Sequence, residues 1–171
     1  MIRCLRYEWP LHLVLWVTGF LPDNVIVLRL RGWMAHFFFK SCGKDLRLGR
    51  NVTFYNPSNI SIGSNVYIAY GNWFSAGDLI TIGDQVLLGP YSVYASSNHT
   101  SRDGSFRYGS PDKAPISIDS GAWVAANCTV VAGISIGKGA LVGAGSVVTK
   151  DVPNRVVFAG NPGRVIRPVK G

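Results

Sequence analysis

Residues 118–135 read IDSGAWVAANCTVVAGIS, and residues 136–153 read IGKGALVGAGSVVTKDVP. Written one above the other, Ile118 falls on Ile136, Val124 on Val142 and Val130 on Val148. An apolar residue returns at every sixth position. The same beat runs back through Ile82, Leu88 and Tyr94, and before them through Ile62, Ile68 and Phe74. Ten of these twelve anchors are Ile, Val or Leu, which makes chance a poor account of them. An amphipathic helix repeats at about 3.6 residues and a half-buried strand at about 2. A period of six fits neither as one continuous element. It fits an all-β solenoid whose coils carry three short flat strands, each turning one anchor inward. Such coils stack through parallel strand hydrogen bonds and draw their stability from their neighbours.

The fourth position after each anchor also follows a rule. In the last two coils it holds Ala122, Cys128, Ile134, Ala140, Ser146 and Val152, residues of limited size that suit a narrow prism interior. Gly63, Gly83, Gly89, Gly137 and Gly143 directly follow anchors, where a tight corner with positive φ would favour glycine. The beat slips by two residues between Phe74 and Ile82 and breaks between Asn98 and Pro115. The Ser, Arg, Asp, Gly, Tyr and Pro content of the break predicts a loop over 98–115, extruded from a coil corner. The organisation expected is an apolar, basic helical segment over 1–45, the solenoid over 46–154 and a C-terminal tail over 155–171.

The chain has 171 residues and a net charge of +8, enough for one domain with a sizeable core. The first fifty residues hold eight Lys or Arg against three Asp or Glu. No basic stripe interleaved with aromatics is present, so nucleic acid is not an expected partner. Cys4, Cys42 and Cys128 form neither a metal spacing nor an even disulfide framework, which points to reduced thiols and a cytoplasmic setting. Cys128 falls on the inward slot and reads as packing.

Residues 1–40 stand apart. Arg3 and Arg6 precede an apolar run from Leu11 to Leu21, but Glu8 and Pro10 interrupt the signal-peptide pattern. The run is also too short to span a bilayer, which takes about 20 residues. Asp23 and Asn24 are placed to start a second helix over Val25 to Phe39. One reading makes these helices a cap on the open end of the solenoid or a pad against a neighbouring subunit. The other makes them an interfacial anchor, with Trp9, Trp16 and Trp33 at the lipid boundary and peripheral contact with the inner face of the cytoplasmic membrane.

Of three histidines, His12 and His36 lie in the apolar N-terminal segment and read as structural. His99 sits where the solenoid gives way to its only large loop, and loops on a rigid scaffold are where chemistry concentrates. A solenoid zinc site would need three histidines, and only His99 lies in the repeats, so no metal is expected.

Residues 116–167, ISIDSGAWVAANCTVVAGISIGKGALVGAGSVVTKDVPNRVVFAGNPGRVIR, resemble the C-terminal half of hexapeptide-repeat acyltransferases of the maltose, galactoside and nodulation-factor O-acetyltransferase type. The likeness is specific in GAGSVVTKDVP and AGNPGRVIR. It extends more weakly to about Leu46 through SNISIGSNVYI and ITIGDQVLLGP. The N-terminal forty residues look more like the branch that modifies bacterial surface polysaccharides.

The resemblance implies a left-handed parallel β-helix, a homotrimer with active sites at subunit interfaces, acetyl-CoA as co-substrate and a sugar or glycan acceptor. It implies His99 as general base and Asn72 as a second catalytic residue, although the chain is shorter around Asn72 than the family pattern and carries Trp73 beside it. It places the pantetheine arm against Trp123, Ala125 and Gly143, and the adenosine and phosphate end near Thr149, Lys150 and Arg164. For the acceptor, Asn72, Trp73 and Arg102 are the candidates. The expected reaction is direct acetyl transfer to a hydroxyl, with no acyl-enzyme. An antibiotic acetyltransferase of streptogramin or chloramphenicol type, a nucleotide-sugar N-acetyltransferase and a non-catalytic solenoid are the competing readings.

Overall fold

The structure, a computed structural model, describes residues 4–170. Arg3, one of the two cations ahead of the apolar run, lies outside them. The repeats form a three-faced parallel β-solenoid. Its first face stacks Ser41–Cys42, Ile60–Ile62, Ile80–Ile82, Ile116–Ile118 and Ser135–Ile136. The second stacks Arg47–Leu48, Tyr67–Ile68, Leu87–Leu88, Trp123–Val124, Leu141–Val142 and Val156–Gly160. The third stacks Thr53–Tyr55, Trp73–Ser75, Val93–Ala95, Thr129–Val130 and Val147–Val148. All twelve anchors are buried, and so are all six residues of the fourth-position slot.

The slip and the break of the beat occur at one place. Register pairs Ile62 with Ile82 but Ile118 with Ile136, so coils run 20 residues before the break and 18 after it. The extra residues sit at the corner between the third and first faces, where Pro57–Asn59 forms a 3-10 turn in the first full coil. The excursion leaves from this same corner. It is an arm rather than a plain loop, because Ser97–His99 pairs antiparallel with Pro111–Lys113. At its tip Asp103 and Gly104 both take positive φ, as a two-residue reversal demands.

The glycines after anchors have a different cause from the one expected. Positive φ falls instead on the third position after the anchor, at Asn65, Gln85, Gly121, Asn127 and Gly139 among others. At Gly63 the reason is close approach. A Cβ there would lie 2.5 Å from Asp84 Oδ1 and 2.6 Å from the carbonyl carbon of Gly83. The Asp84 carboxylate folds over that position to accept the N–H of Ser64 at 2.7 Å.

An aromatic column fills the first half of the prism. Phe39 meets Phe54 edge-on at 5.0 Å, Phe54 stacks on Phe74 at 4.9 Å and Phe74 on Tyr94 at 4.7 Å. The column begins in the N-terminal segment, which closes that end of the solenoid. Helix α1 (Trp9–Thr18) buries Leu11, and helix α2 (Val25–Ala35) buries Leu28, Arg31, Gly32 and Ala35. Asn24 caps α2, its Oδ1 accepting the N–H of Val27 at 3.0 Å. The α-helix stops at Ala35, short of the expected Phe39, and continues as a 3-10 turn over His36–Phe38.

Arg31 pins this cap. It is 0% exposed, and each of its donors is used. Nε reaches Thr18 Oγ1, Nη1 reaches Asp23 Oδ1 and the Leu48 carbonyl, and Nη2 reaches the Thr18 and Leu21 carbonyls. A buried guanidinium is tolerable only when satisfied in this way. Beside it, a Cβ on Gly32 would lie 1.9 Å from the Leu46 carbonyl oxygen, so α2 sits directly on the first coil.

Both expected boundaries shift. The first strand, Ser41–Cys42, already pairs with Ser61–Ile62 inside the segment assigned to 1–45. The segment 155–171 is no simple tail. Val156–Gly160 adds a parallel strand to the second face, and Gly163–Pro168 folds back on it antiparallel.

Candidate active site

The second face presents two outward columns. The residue before each anchor is large: Tyr67, Leu87, Trp123, Leu141 and Val157 stand in register. The residue after each anchor is small: Ala69, Gly89, Ala125, Gly143 and Ala159. At the corner leading to the third face, Tyr70, Pro90, Ala126 and Ala144 follow. Together they form an open, mainly apolar groove of about 500 Å³, with Tyr67, Tyr70, Leu87, Trp123, Ala125 and Ala144 in its walls.

At the C-terminal end of this column the chemistry turns cationic. Lys150 and Arg164 line one cavity of about 470 Å³ with Ala159, Gly160, Asn161 and Pro162. Gly143 connects the two regions. Its N–H donates to the Phe158 carbonyl at 2.8 Å, and a Cβ on it would lie 3.0 Å from Ala159 Cβ. Thr149, exposed, precedes Lys150 at the end of the third face. Of the six residues expected to hold the donor, Trp123 and Ala125 line the groove and Lys150 and Arg164 the cationic cavity, Gly143 packs between them, and Thr149 lines neither. Sequence reasoning missed Tyr70, Ala69, Gly89 and Ala159, although the small residue after each second-face anchor is a readable signal.

His99 is placed by the arm. Ser96, fully buried, anchors the arm's root: its Oγ accepts the N–H of Asp78 at 2.9 Å and donates to the Asp78 carbonyl at 2.8 Å. His99 then pairs with Pro111, and Thr100 donates through N and Oγ1 to the Ser110 carbonyl at 3.1 and 2.7 Å. Gly109 permits this approach, since a Cβ there would collide with the Thr100 carbonyl. The imidazole is exposed on a strand held along one edge by Pro111–Lys113, at the corner between the third and first faces.

Asn72 does not fit its expected role. It is 0% exposed and points into the prism, with Nδ2 donating to the Ala69 carbonyl and Oδ1 accepting the Ser92 N–H. It is the fourth residue after anchor Ile68, the inward slot, and no acceptor reaches it there. Its neighbour Trp73 faces outward on the third face, edge-on to Tyr55 at 5.5 Å. Arg102 lies at the arm's tip, 3.8 Å from the exposed Asp103 carboxylate. Within one chain, therefore, His99 and the Trp123 groove stand at different corners, with the third face between them.

A family model, the hexapeptide repeat of succinyl-transferase, matches residues 115–150. The galactoside O-acetyltransferase of Escherichia coli K12 is 34% identical over 131 residues, covering 77% of this chain and 64% of that protein. The chain thus spans slightly less than two thirds of that relative's length. A galactoside acetyltransferase solved in complex with coenzyme A superposes with a TM-score of 0.85 at 29% identity, over 99% of this chain and 82% of that one. A maltose O-acetyltransferase from Clostridium difficile 630 superposes with a TM-score of 0.81 at 26% identity, over 99% and 89%. The three-faced coil is accordingly the left-handed parallel β-helix shared by these proteins. In its repeats and along nearly its whole length, the chain is similar to these hexapeptide-repeat acetyltransferases.

Proposed function

We propose that this chain is an acetyl-CoA-dependent O-acetyltransferase that acetylates a sugar hydroxyl in the synthesis of a bacterial surface polysaccharide or a lipid-linked glycan. The observation that carries the reading is the column of small residues past Trp123, ending at Lys150 and Arg164. A thin pantetheine arm needs close approach to a backbone, which Ala125 and Gly143 allow. The phosphates at its far end need cations, and a planar guanidinium suits them well. The residues present fit coenzyme A on both counts.

His99 acts as general base. As the acceptor oxygen attacks the thioester carbonyl, the imidazole takes the hydroxyl proton. The carbon–sulfur bond then breaks, and the imidazolium returns the proton to the departing thiolate. Such help is worth on the order of 10² to 10⁴ in rate.

The separation of His99 from the donor groove supports a homotrimer, in which the arm corner of one copy meets the second face of the next. Exposed Trp73 offers a flat apolar surface of the kind that stacks on a sugar ring, and Arg102 supplies a donor from the arm. The sugar substrates in the names of the galactoside and maltose enzymes favour the same acceptor class.

The test is release of coenzyme A thiol from acetyl-CoA across a panel of sugars, nucleotide sugars and glycan extracts, with His99→Ala alongside. Acceptor-dependent release that disappears in the variant is expected. Equal release from both proteins would defeat the assignment of the base, and failure to bind coenzyme A would defeat the whole reading.

A further inference from the structure

Helices α1 and α2 each bury one side against the first coil, yet the outer side of each is mainly apolar, with His12 and Arg29 the exposed polar residues within them. Positions 9, 13, 16 and 20 hold Trp, Leu, Trp and Phe, and positions 26, 30, 33 and 37 hold Ile, Leu, Trp and Phe. The two sets share one helical spacing, and all eight side chains are between 42% and 79% exposed. A surface helix ordinarily turns charged and polar residues outward, opposite its buried side. Contiguous exposed apolar surface of this kind marks an interaction face.

Charge decides between occupants. Neither helix contains an acidic residue. The three carboxylates of the first fifty residues are already engaged within the chain. Glu8 accepts the Asn56 N–H, Asp23 holds Arg31 and Arg50, and Asp45 holds Arg29 and Arg47. Among the described residues Arg6, Lys40 and Lys44 have no carboxylate partner. A second copy of this face would bring the same positive excess against itself. An anionic surface would neutralise it.

We infer that the outer stripes of α1 and α2 dock this protein on an anionic lipid bilayer surface, with Trp9, Trp16 and Trp33 at the headgroup boundary. Tryptophans are at home at that depth, and cations beside them add attraction to acidic headgroups. The helices lie in the interface and do not cross it. They have 10 and 11 residues, roughly 15 Å each, against a hydrocarbon core of about 30 Å. Arg31 and Gly32 hold the helices rigidly on the solenoid, so docking fixes the prism relative to the membrane. This inference does not depend on the acetyltransferase reading.

The experiment is flotation of the full chain with phosphatidylcholine vesicles, with and without phosphatidylglycerol, at low and high salt. The triple variant Trp9→Ser/Trp16→Ser/Trp33→Ser runs in parallel, with thermal melting and light-scattering mass measured on both proteins. Wild type should float with the anionic vesicles. The bound fraction should fall about tenfold or more in the variant, melting and mass being unchanged. Lys40→Glu/Lys44→Glu, which leaves the apolar stripes intact, should lower binding to anionic vesicles and blunt its salt dependence. Absence of wild-type flotation, or equal flotation of wild type and both variants, would overturn the proposal. A drop in particle mass in the triple variant, without vesicle binding by wild type, would assign the face to a second copy instead.

Discussion

Asn72 Oδ1 accepts the backbone N–H of Ser92 at 3.2 Å, across two stacked coils in the dry interior of the prism. The same side chain donates to the Ala69 carbonyl at 2.7 Å, so both ends of the amide serve the framework. Asn72→Ala should therefore act on stability. Leaving the Ser92 N–H without its acceptor should cost about 1–3 kcal/mol, read from the denaturant midpoint, while turnover per folded molecule stays close to wild type.

His99→Ala should do the opposite. The side chain is exposed and its strand is held through backbone bonds, so melting should be nearly unchanged. Acetyl transfer should fall by about 10² to 10⁴. Coenzyme A affinity measured by calorimetry should survive.

Lys150 and Arg164 should behave as a donor-affinity pair. Removing either cation should raise the KM for acetyl-CoA by about tenfold, the worth of one charge-assisted hydrogen bond, and should flatten the salt dependence of coenzyme A binding. Little change in kcat is expected, since both residues stand at the phosphate end of the proposed donor path. The check is a KM-against-kcat comparison at two ionic strengths.

Arg31→Met should loosen the N-terminal cap. It leaves Asp23 and the carbonyls of Thr18, Leu21 and Leu48 without their shared donor, at a cost of about 3 kcal/mol or more. Gly32→Ala should harm the same joint by clash with Leu46. In both variants hydrogen exchange should accelerate in α1 and α2 before it does in the coils.

Burial pushes the Cys42 thiol up to about 11. In a Cys4→Ser/Cys128→Ser background, its reaction with a thiol reagent at pH 8 should run about a hundredfold slower in the native protein than in denaturant. A proton held more tightly in the folded state stabilises fully below the unfolded pKa. That contribution is lost as pH climbs toward 11.

Much of this architecture was legible because a period of six makes the same demand at each turn. Ile118, Val124 and Val130 need only be apolar to be placed, and the inward slot was readable at Cys128 and Ser146. That same slot, counted from Ile68, lands on Asn72, so its burial was available from the spacing that identified the core. The arm's ladder was hidden because Pro111, Asp112 and Lys113 are poor strand formers, held in place only by Ser97, Asn98 and His99 opposite. The meeting of Lys150 with Arg164 was hidden for another reason. It depends on a strand reversal after Gly160, which no repeat predicts.

That reversal has a meaning for the protein outside its site. A stack of parallel coils ends in open strand edges, and an open edge invites the next molecule to continue the stack. At the C-terminal end, Gly163–Pro168 runs against the grain of every coil beneath it. At the other, the ring of Phe39 and the bulk of α2 occupy the place where another coil would begin. The molecule carries its own stoppers, and losing either would turn a finite enzyme-sized prism into a seed for fibres.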